Sequence, residues 1–401
     1  MRRVVITGMS AICSAGTEHS EVFRNLCDRK VDLHEIVKDN PAKEKLHSRF
    51  YIPYPEFDDS EYAKKLKQVK RRGSKSAYTA CFSALKALAD AGIETPDDDT
   101  RVYMGVGAPN IFELMDQTFQ LEYENSIDTL LIPITMESSL AAWLSIVLGI
   151  HGRSSVLSMA CASGTEAVGG GYESILNGQC DMALCGGSDH LPDKNLLLVR
   201  GFEALKCVSL SDEGYAYPFS EEGNGFLFSE GAASVLVLEE LEHALARNAH
   251  IYAEVTGFES SCDGYSIVAM REDGKVIKDM LRKLIGDKHV DYYNAHGTAT
   301  NLNDKTEAMI IRELFGSREN QPAISATKCL IGHTLGASGA IEAMVCAESI
   351  QHNKVHGNTC KTVFEDLNIT AETRDIHVDT AVSASFGFGG HNAAVMIERY
   401  K

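Results

Sequence analysis

A chain of 401 residues with 44% apolar composition carries enough hydrophobic side chain for one large core or two fused ones, which excludes a disordered polypeptide. A formal charge of -18 excludes a surface built for nucleic acid, because phosphate recognition requires a basic face. The eleven cysteines, none in C-x-x-C spacing, fit free thiols in a reducing cytosol rather than a disulfide framework or a structural zinc site.

Met1-Arg2-Arg3 runs straight into Val4-Val5-Ile6-Thr7-Gly8, too short an apolar run for a signal peptide. Val4 to Thr7 reads as a buried strand, and Glu18 to Asn25 begins a helical phase. Residues 31 to 60, broken by Pro41, Pro53 and Pro55, read as irregular surface excursions. Ala77 to Ala91 has small and apolar residues on more than one face, the pattern of a buried helix. Tyr103 to Val106 is a strand, and Gly107 to Tyr123 an excursion able to line a cleft.

Ala141 to Leu148 and Thr165 to Leu176 are core helices; the most apolar stretch, Leu140 to Ile150, falls well short of the about 20 residues of a membrane span. Met182 to Gly187 reads as a strand entering a glycine turn, Gly223-Asn224-Gly225 as a hairpin turn, and Ala233 to Leu238 as a buried strand. The second half repeats the texture: strands at Ala253 to Thr256 and Val290 to Tyr293, and helices at Val276 to Leu284, Lys305 to Phe315 and Ala337 to Ser349. A last strand and turn, Thr380 to Gly390, precede Ala393 to Glu398. Alternating strands and helices without a low-complexity linker predict an α/β protein, and the similar strand-to-turn segments Ser158 to Gly164 and Val382 to Gly390 suggest a duplication with its seam near 240 to 250.

Cys161 closes the apolar segment Val156 to Ala160 and opens a helix through Ala162-Ser163-Gly164, so unpaired N–H groups of the helix start would favour its thiolate. A buried structural thiol is the alternative. His296, in Asn294-Ala295-His296-Gly297-Thr298, and His333, in Ile331-Gly332-His333-Thr334, supply imidazoles; capping or packing is the alternative for each. Phe386-Gly387-Phe388-Gly389-Gly390 lacks the G-x-G-x-x-G spacing of a dinucleotide site and reads either as a tight turn or as a mobile aromatic gate beside backbone N–H groups.

Together, Cys161-Ala162-Ser163-Gly164, Asn294 to Thr298, Lys328 to Gly339 and Phe386 to Gly390 resemble the β-ketoacyl-acyl-carrier-protein synthases, closest to the elongating type of fatty-acid, polyketide and aryl-polyene synthesis. The resemblance spans nearly the whole chain. It implies a thiolase-like five-layered αβαβα fold of two pseudo-duplicated halves, residues 1–245 with the nucleophile and 246–401 with both histidines. It also implies decarboxylative Claisen condensation of an acyl chain on Cys161 with malonyl-acyl carrier protein, giving 3-oxoacyl carrier protein and carbon dioxide. No bound cofactor or metal is implied, since the substrates ride on the carrier's phosphopantetheine arm.

The resemblance assigns Cys161 as nucleophile, His296 and His333 as hydrogen-bond donors to the malonyl thioester, and Lys328 as organiser of the histidines with Glu307 as its acidic partner. The N–H groups of Cys161 and Phe388 would form the oxyanion hole, with Phe388 also the gate. Gly107, Ala108, Ile111 and Phe112 would line an acyl tunnel, the last two from across a dimer interface. The run Lys64, Lys65, Lys67, Lys70, Arg71, Arg72, Lys75 is a solvated helix face by composition. The resemblance makes it the docking face for an acidic carrier protein, chiefly through Lys64, Lys67, Lys70 and Arg71.

The implied partners are that carrier and a second subunit, either another copy or a homologous chain-length factor. A cytoplasmic location is expected, with neither nucleic acid nor membrane as partner. The priming type has asparagine at the position of His333 and is disfavoured. Asn301, where the family usually has proline, and Ala384, where it has asparagine, point toward a specialised pathway. The competing readings are a thiolase-like enzyme using coenzyme A esters, disfavoured because Ser385 stands where a second cysteine would be needed, and a non-catalytic chain-length partner.

Overall fold

The computed structural model describes residues 2–36, 46–108, 110–192 and 196–401. Ten strands fall into two sets of five with one arrangement. β1 (Val4–Ile12), β2 (Arg101–Gly105), β3 (Ser154–Leu157), β4 (Met182–His190) and β5 (Gly231–Glu240) lie in the order β3-β2-β4-β5-β1. β6 (Ala253–Cys262), β7 (Tyr292–Asn294), β8 (Ala323–Ser325), β9 (Thr380–Gly387) and β10 (His391–Glu398) lie in the order β8-β7-β9-β10-β6. In each set the first three strands pair in parallel and the last two joins are antiparallel. Three antiparallel pairs, Val4–Ile6 against Ala253–Val255, join the sets into one mixed ten-stranded sheet.

The helices follow the same duplication. α1 (His19–Cys27), α2 (Ala63–Arg72) and α3 (Lys75–Asp90) precede β2, α4 (Ile111–Glu124) and α5 (Ser139–Leu148) precede β3, and α6 (Ser163–Leu176) precedes β4. In the second set α7 (Lys275–Ile285), α8 (Asn301–Phe315) and α9 (Ser338–His352) follow β6, β7 and β8. α6 and α9 pack on each other and on strands of both sets, forming the middle layer. α3 and α5 bury their apolar faces on the outside of the first set, and α7 and α8 on the outside of the second, which completes five αβαβα layers.

The middle helices are built from small residues because they approach backbone closely. Every residue from Ser338 to Ile350 is buried, and a Cβ added at Gly164 would stand 2.6 Å from the Gly336 carbonyl oxygen. A polar tie also crosses between the sets. His19 lies between Asp90 of α3 and Glu348 of α9, with Tyr252 donating to Asp90. Burial opposes charge on this imidazole, but the two carboxylates outweigh it and raise it to about 9, so it is cationic at neutral pH.

Three local expectations change. Gly107 to Tyr123 is no open excursion: after Asn110, in the left-handed region at φ 55°, the helix formers of Ile111–Glu124 take over as α4. Gly186 and Gly187 make no turn but continue β4 to His190. Their lack of side chains serves close approach, since a Cβ at either position would lie 2.0 Å from a carbonyl oxygen, that of Ser234 or Gly336. Gly223 to Gly225 joins no regular hairpin strands; Gly225 alone takes positive φ, at 94°, with its N–H on the Ala299 carbonyl.

Within 31 to 60, His34–Glu35 pairs with Phe50–Tyr51 as a short ribbon, while residues 37–45 lie outside the described residues. All eleven cysteines are free. Among the described residues no helix is long and apolar enough to cross a membrane.

Candidate active site

The chemistry-bearing residues sit where parallel strands end. Beyond β3 the chain makes a 3-10 turn, Ala160–Ala162, that runs directly into α6, so Cys161 stands at the head of a central helix. Ala160 takes a positive φ of 49°, a strained turn that Ser163 secures by accepting the Met159 N–H at 2.8 Å. His296 follows β7, His333 follows the short helix Lys328–Ile331 after β8, and Phe388 follows β9.

Tertiary packing brings these ends together. Sγ of Cys161 and one nitrogen each of His296 and His333 all lie within 4.8 Å of one another, and the imidazoles meet edge to face at 5.9 Å between centroids. A cavity of about 400 Å³ opens onto all three; Gly107, Ala108, Phe202, Val268 and Phe388 are among its walls. The spacing puts the thiol and both imidazoles around one small volume of the cavity.

The hydrogen bonds fix what His333 offers. The Leu335 N–H reaches His333 Nδ1 at 3.2 Å, and an amide can only donate, so Nδ1 is the acceptor and the proton resides on Nε2. Nε2 is buried with no hydrogen-bond partner among the described residues, a donor left for a substrate oxygen. Burial, the Lys328 charge and, for His296, the neighbouring His333 hold both imidazoles well below their ordinary range, so both are neutral at pH 7.

Neutral N–H donors suit an enolate forming from a neutral thioester. The backbone N–H groups of Phe388 and Cys161 lie close enough to the Cys161 sulfur to favour its anion. The same pair would meet the oxygen of an acyl group held there.

Two expectations about charge are corrected. The helix start does not make Cys161 a resting thiolate: burial pushes the thiol up to about 11, outweighing the Lys328 charge and those two N–H groups. Nor is Glu307 the hydrogen-bonded partner of Lys328. Its carboxylate receives the backbone N–H groups of His296 and Gly297, each at 2.9 Å, and the Tyr293 hydroxyl at 3.1 Å, so it shapes the His296 loop. Lys328 instead bonds Glu342 of α9, both fully buried. Glu342, raised to about 7 by burial against the pull of Lys328, had one legible signal: with Glu348 it is one of two acids inside the otherwise apolar run of α9.

Comparison with known proteins gives the family. The β-ketoacyl synthase N-terminal domain matches residues 1–244 and the β-ketoacyl synthase C-terminal domain matches residues 252–360. The chain belongs to the β-ketoacyl synthase family. Among its relatives, 3-oxoacyl-[acyl-carrier-protein] synthase 2 of Synechocystis sp. is 31% identical over 100% of this chain and 99% of the relative. 3-Oxoacyl-[acyl-carrier-protein] synthase 1 of Escherichia coli is 31% identical over 100% of both. Solved structures that superpose over 100% of both chains include a β-ketoacyl synthase from Burkholderia phymatum (TM-score 0.89, 29% identity) and the ishigamide ketosynthase/chain length factor (TM-score 0.88, 27% identity). These neighbours carry the same five-layered α/β architecture.

The remaining sequence candidates distribute unevenly over the synthase. Gly107 and Ala108 line the cavity, and Phe112 packs on the apolar cluster that contains Cys161, whereas Ile111 is not among the cavity walls. α2 buries only Leu66 and Val69 and exposes Lys64, Lys65, Lys67, Lys70, Arg71 and Arg72. Lys70 is engaged by Asp59 at 2.8 Å, and Lys75 lies over the Phe57 and Tyr78 rings. Asn301 opens α8 at the cavity rim, and Ala384 is buried inside β9. Ser385, no nucleophile here, bonds Thr165 at 2.8 Å inside the core.

Proposed function

We propose that this synthase elongates acyl chains as a catalytic subunit. The Cys161 sulfur attacks an acyl thioester on a carrier protein's phosphopantetheine arm, and the carrier leaves as free thiol. Malonyl carrier protein then loses carbon dioxide; its enolate carbon attacks the acyl-cysteine carbonyl, and the product departs as 3-oxoacyl carrier protein while the sulfur regains its proton. His296 and His333 donate to the malonyl thioester oxygen as negative charge gathers there, and the N–H pair of Cys161 and Phe388 serves the acyl oxygen.

The observation that carries this reading is the convergence of one thiol and two neutral imidazoles, one with a vacant buried donor, on a single cavity. Incubation with acyl carrier protein tests it: intact-protein mass should rise by one acyl group, and malonyl carrier protein should then release carbon dioxide. Silence in both measurements with the carrier panel would reject it.

Partners follow from the surface. α4 and the neighbouring helix Leu131–Thr135 bury no residue and expose Leu114, Phe119, Leu121 and Ile132, a face suited to a second subunit, either another copy or a homologous chain-length factor. Native mass spectrometry of the chain alone and co-expressed with such a homologue decides between them. Phe112 and Ile111, at the start of α4, would complete the acyl tunnel in that assembly.

For the acidic carrier, exposed Lys64, Lys67 and Arg71 offer the steering charge. Replacing these three by glutamate should raise the KM for carrier substrates by about tenfold or more with the fold intact by circular dichroism; an unchanged KM would refute the docking role. We assign residues 1–245 to the first half and 246–401 to the second. A cytoplasmic location and a specialised pathway complete the reading.

A further inference from the structure

We propose that Asp189 is a positioning residue that holds His333 in its donating tautomer and does so through a strained leucine. Asp189 is fully buried near the end of β4. Among the described residues its carboxylate pairs with no cation; it receives three backbone N–H groups from two separate segments. Oδ2 accepts from Gly336 at 2.7 Å and from Gly107 at 2.8 Å, and Oδ1 accepts from Ala108 at 3.1 Å. Gly107 and Ala108 are cavity wall; Gly336 belongs to the turn that follows His333.

The first residue of that turn is under strain. Leu335 sits at φ 49°, a left-handed conformation that costs a bulky side chain on the order of 1–3 kcal/mol and persists only where the surroundings impose it. Two hydrogen bonds impose it. The Leu335 N–H points at His333 Nδ1, and the next N–H, of Gly336, points at Asp189. Close packing stiffens the arrangement, because a Cβ at Gly336 would stand 2.6 Å from the Gly107 nitrogen and one at Gly107 would stand 2.6 Å from Leu335 Cβ.

The consequence follows from donor and acceptor counting. While the Leu335 N–H occupies Nδ1, the His333 proton must sit on Nε2, facing the cavity. Released from Asp189, the turn can relax toward an ordinary φ, the Leu335 N–H swings away, and the imidazole is free to carry its proton on Nδ1, where Ser338 Oγ waits at 3.1 Å. Nε2 would then be an acceptor turned toward developing negative charge. The donor that the decarboxylation step needs is therefore maintained by a carboxylate that never touches substrate. The same carboxylate clamps the tunnel wall at Ala108, so wall and donor are held in one register.

This inference rests on the proposed function, and the wild-type enzyme separates the two. If the wild type neither takes an acyl group nor releases carbon dioxide, the functional reading fails; if it does both, the variants judge Asp189. Asp189→Asn keeps the volume but turns an amide NH₂ against backbone donors. With a short acyl donor its transfer to Cys161 should stay within about threefold of wild type, while carbon dioxide release from malonyl carrier protein by the acyl-enzyme falls about tenfold or more at unchanged KM.

In nitrogen-15 histidine spectra the resonance lost in His333→Ala should move from the Nε2–H toward the Nδ1–H pattern. Asp189→Glu keeps both acceptor oxygens and should fall between wild type and Asp189→Asn in release while retaining the Nε2–H signature. It carries the test alone if the asparagine variant does not fold. Equal loss of both half-reactions in the folded variants, or an unmoved tautomer signature in Asp189→Asn, would overturn the proposal.

Discussion

Cys161→Ala is expected to take no acyl group from any carrier, to form no 3-oxoacyl product, and still to release carbon dioxide from malonyl carrier protein. Cys161 Sγ is the thiol that lies within 4.8 Å of both imidazole nitrogens and is placed to hold the acyl chain covalently, whereas Cys207, also on the cavity wall, bonds the Leu205 carbonyl. Ser385 offers no substitute, because its hydroxyl is buried and bonded to Thr165. The malonyl-binding donors do not depend on the thiol: His333 is held by Leu335 and the Leu227 carbonyl, and His296 by the grip of Glu307 on its backbone N–H. Retention of acyl mass in the variant would move the nucleophile elsewhere. Loss of carbon dioxide release together with the acyl adduct would mean that acylation assembles the decarboxylation site.

His333→Ala should give the reciprocal result. Self-acylation, which uses the sulfur and the N–H pair of Cys161 and Phe388, should survive, while carbon dioxide release should fall by about 10²–10³-fold, the usual cost of removing one preorganised donor to a developing oxyanion. Stopped assays that score acyl mass and released carbon dioxide in parallel measure both quantities. Equal losses in the two would contradict the division of labour.

The pH dependence of wild-type release should agree. Burial and the Lys328 charge keep both imidazoles below their ordinary range, so between pH 6 and 8 neither His296 nor His333 changes charge and raising the pH brings no gain from deprotonating either. A steep rise in that interval lost on mutation of either histidine would show that a cationic imidazole is present after all.

The residues that were legible in advance are those whose role is announced by local sequence. The junction of an apolar strand with Ala162-Ser163-Gly164 marks Cys161 at a helix start, and its coordinates lie there. Helical spacing marks α3, α6, α7 and α9, and strand spacing marks β5 and β9, each within a few residues, whereas the first strand, read over Val4 to Thr7, continues to Ile12. The errors share a cause. Gly186 and Gly187 read as a turn because a glycine pair is locally a turn signal, but the carbonyls of Ser234 and Gly336 that exclude a Cβ come from strands and loops far along the chain. The family resemblance makes Glu307 the partner of Lys328, while the carboxylate that bonds Lys328 arrives on α9.

By itself, the order of residues determined the alternating α/β pattern, the kit of one thiol and two imidazoles, and the basic face of α2, because periodicity, residue chemistry and charge are carried by neighbours within a few positions. Only the tertiary structure decided that Cys161 rests as a neutral thiol, that His333 keeps its proton on Nε2, and that Asp189 reaches from β4 to the turn beyond His333. Protonation and tautomer depend on desolvation and on which donor faces which acceptor, and both are created by packing between residues far apart in the chain, 147 positions in the case of Asp189 and Gly336.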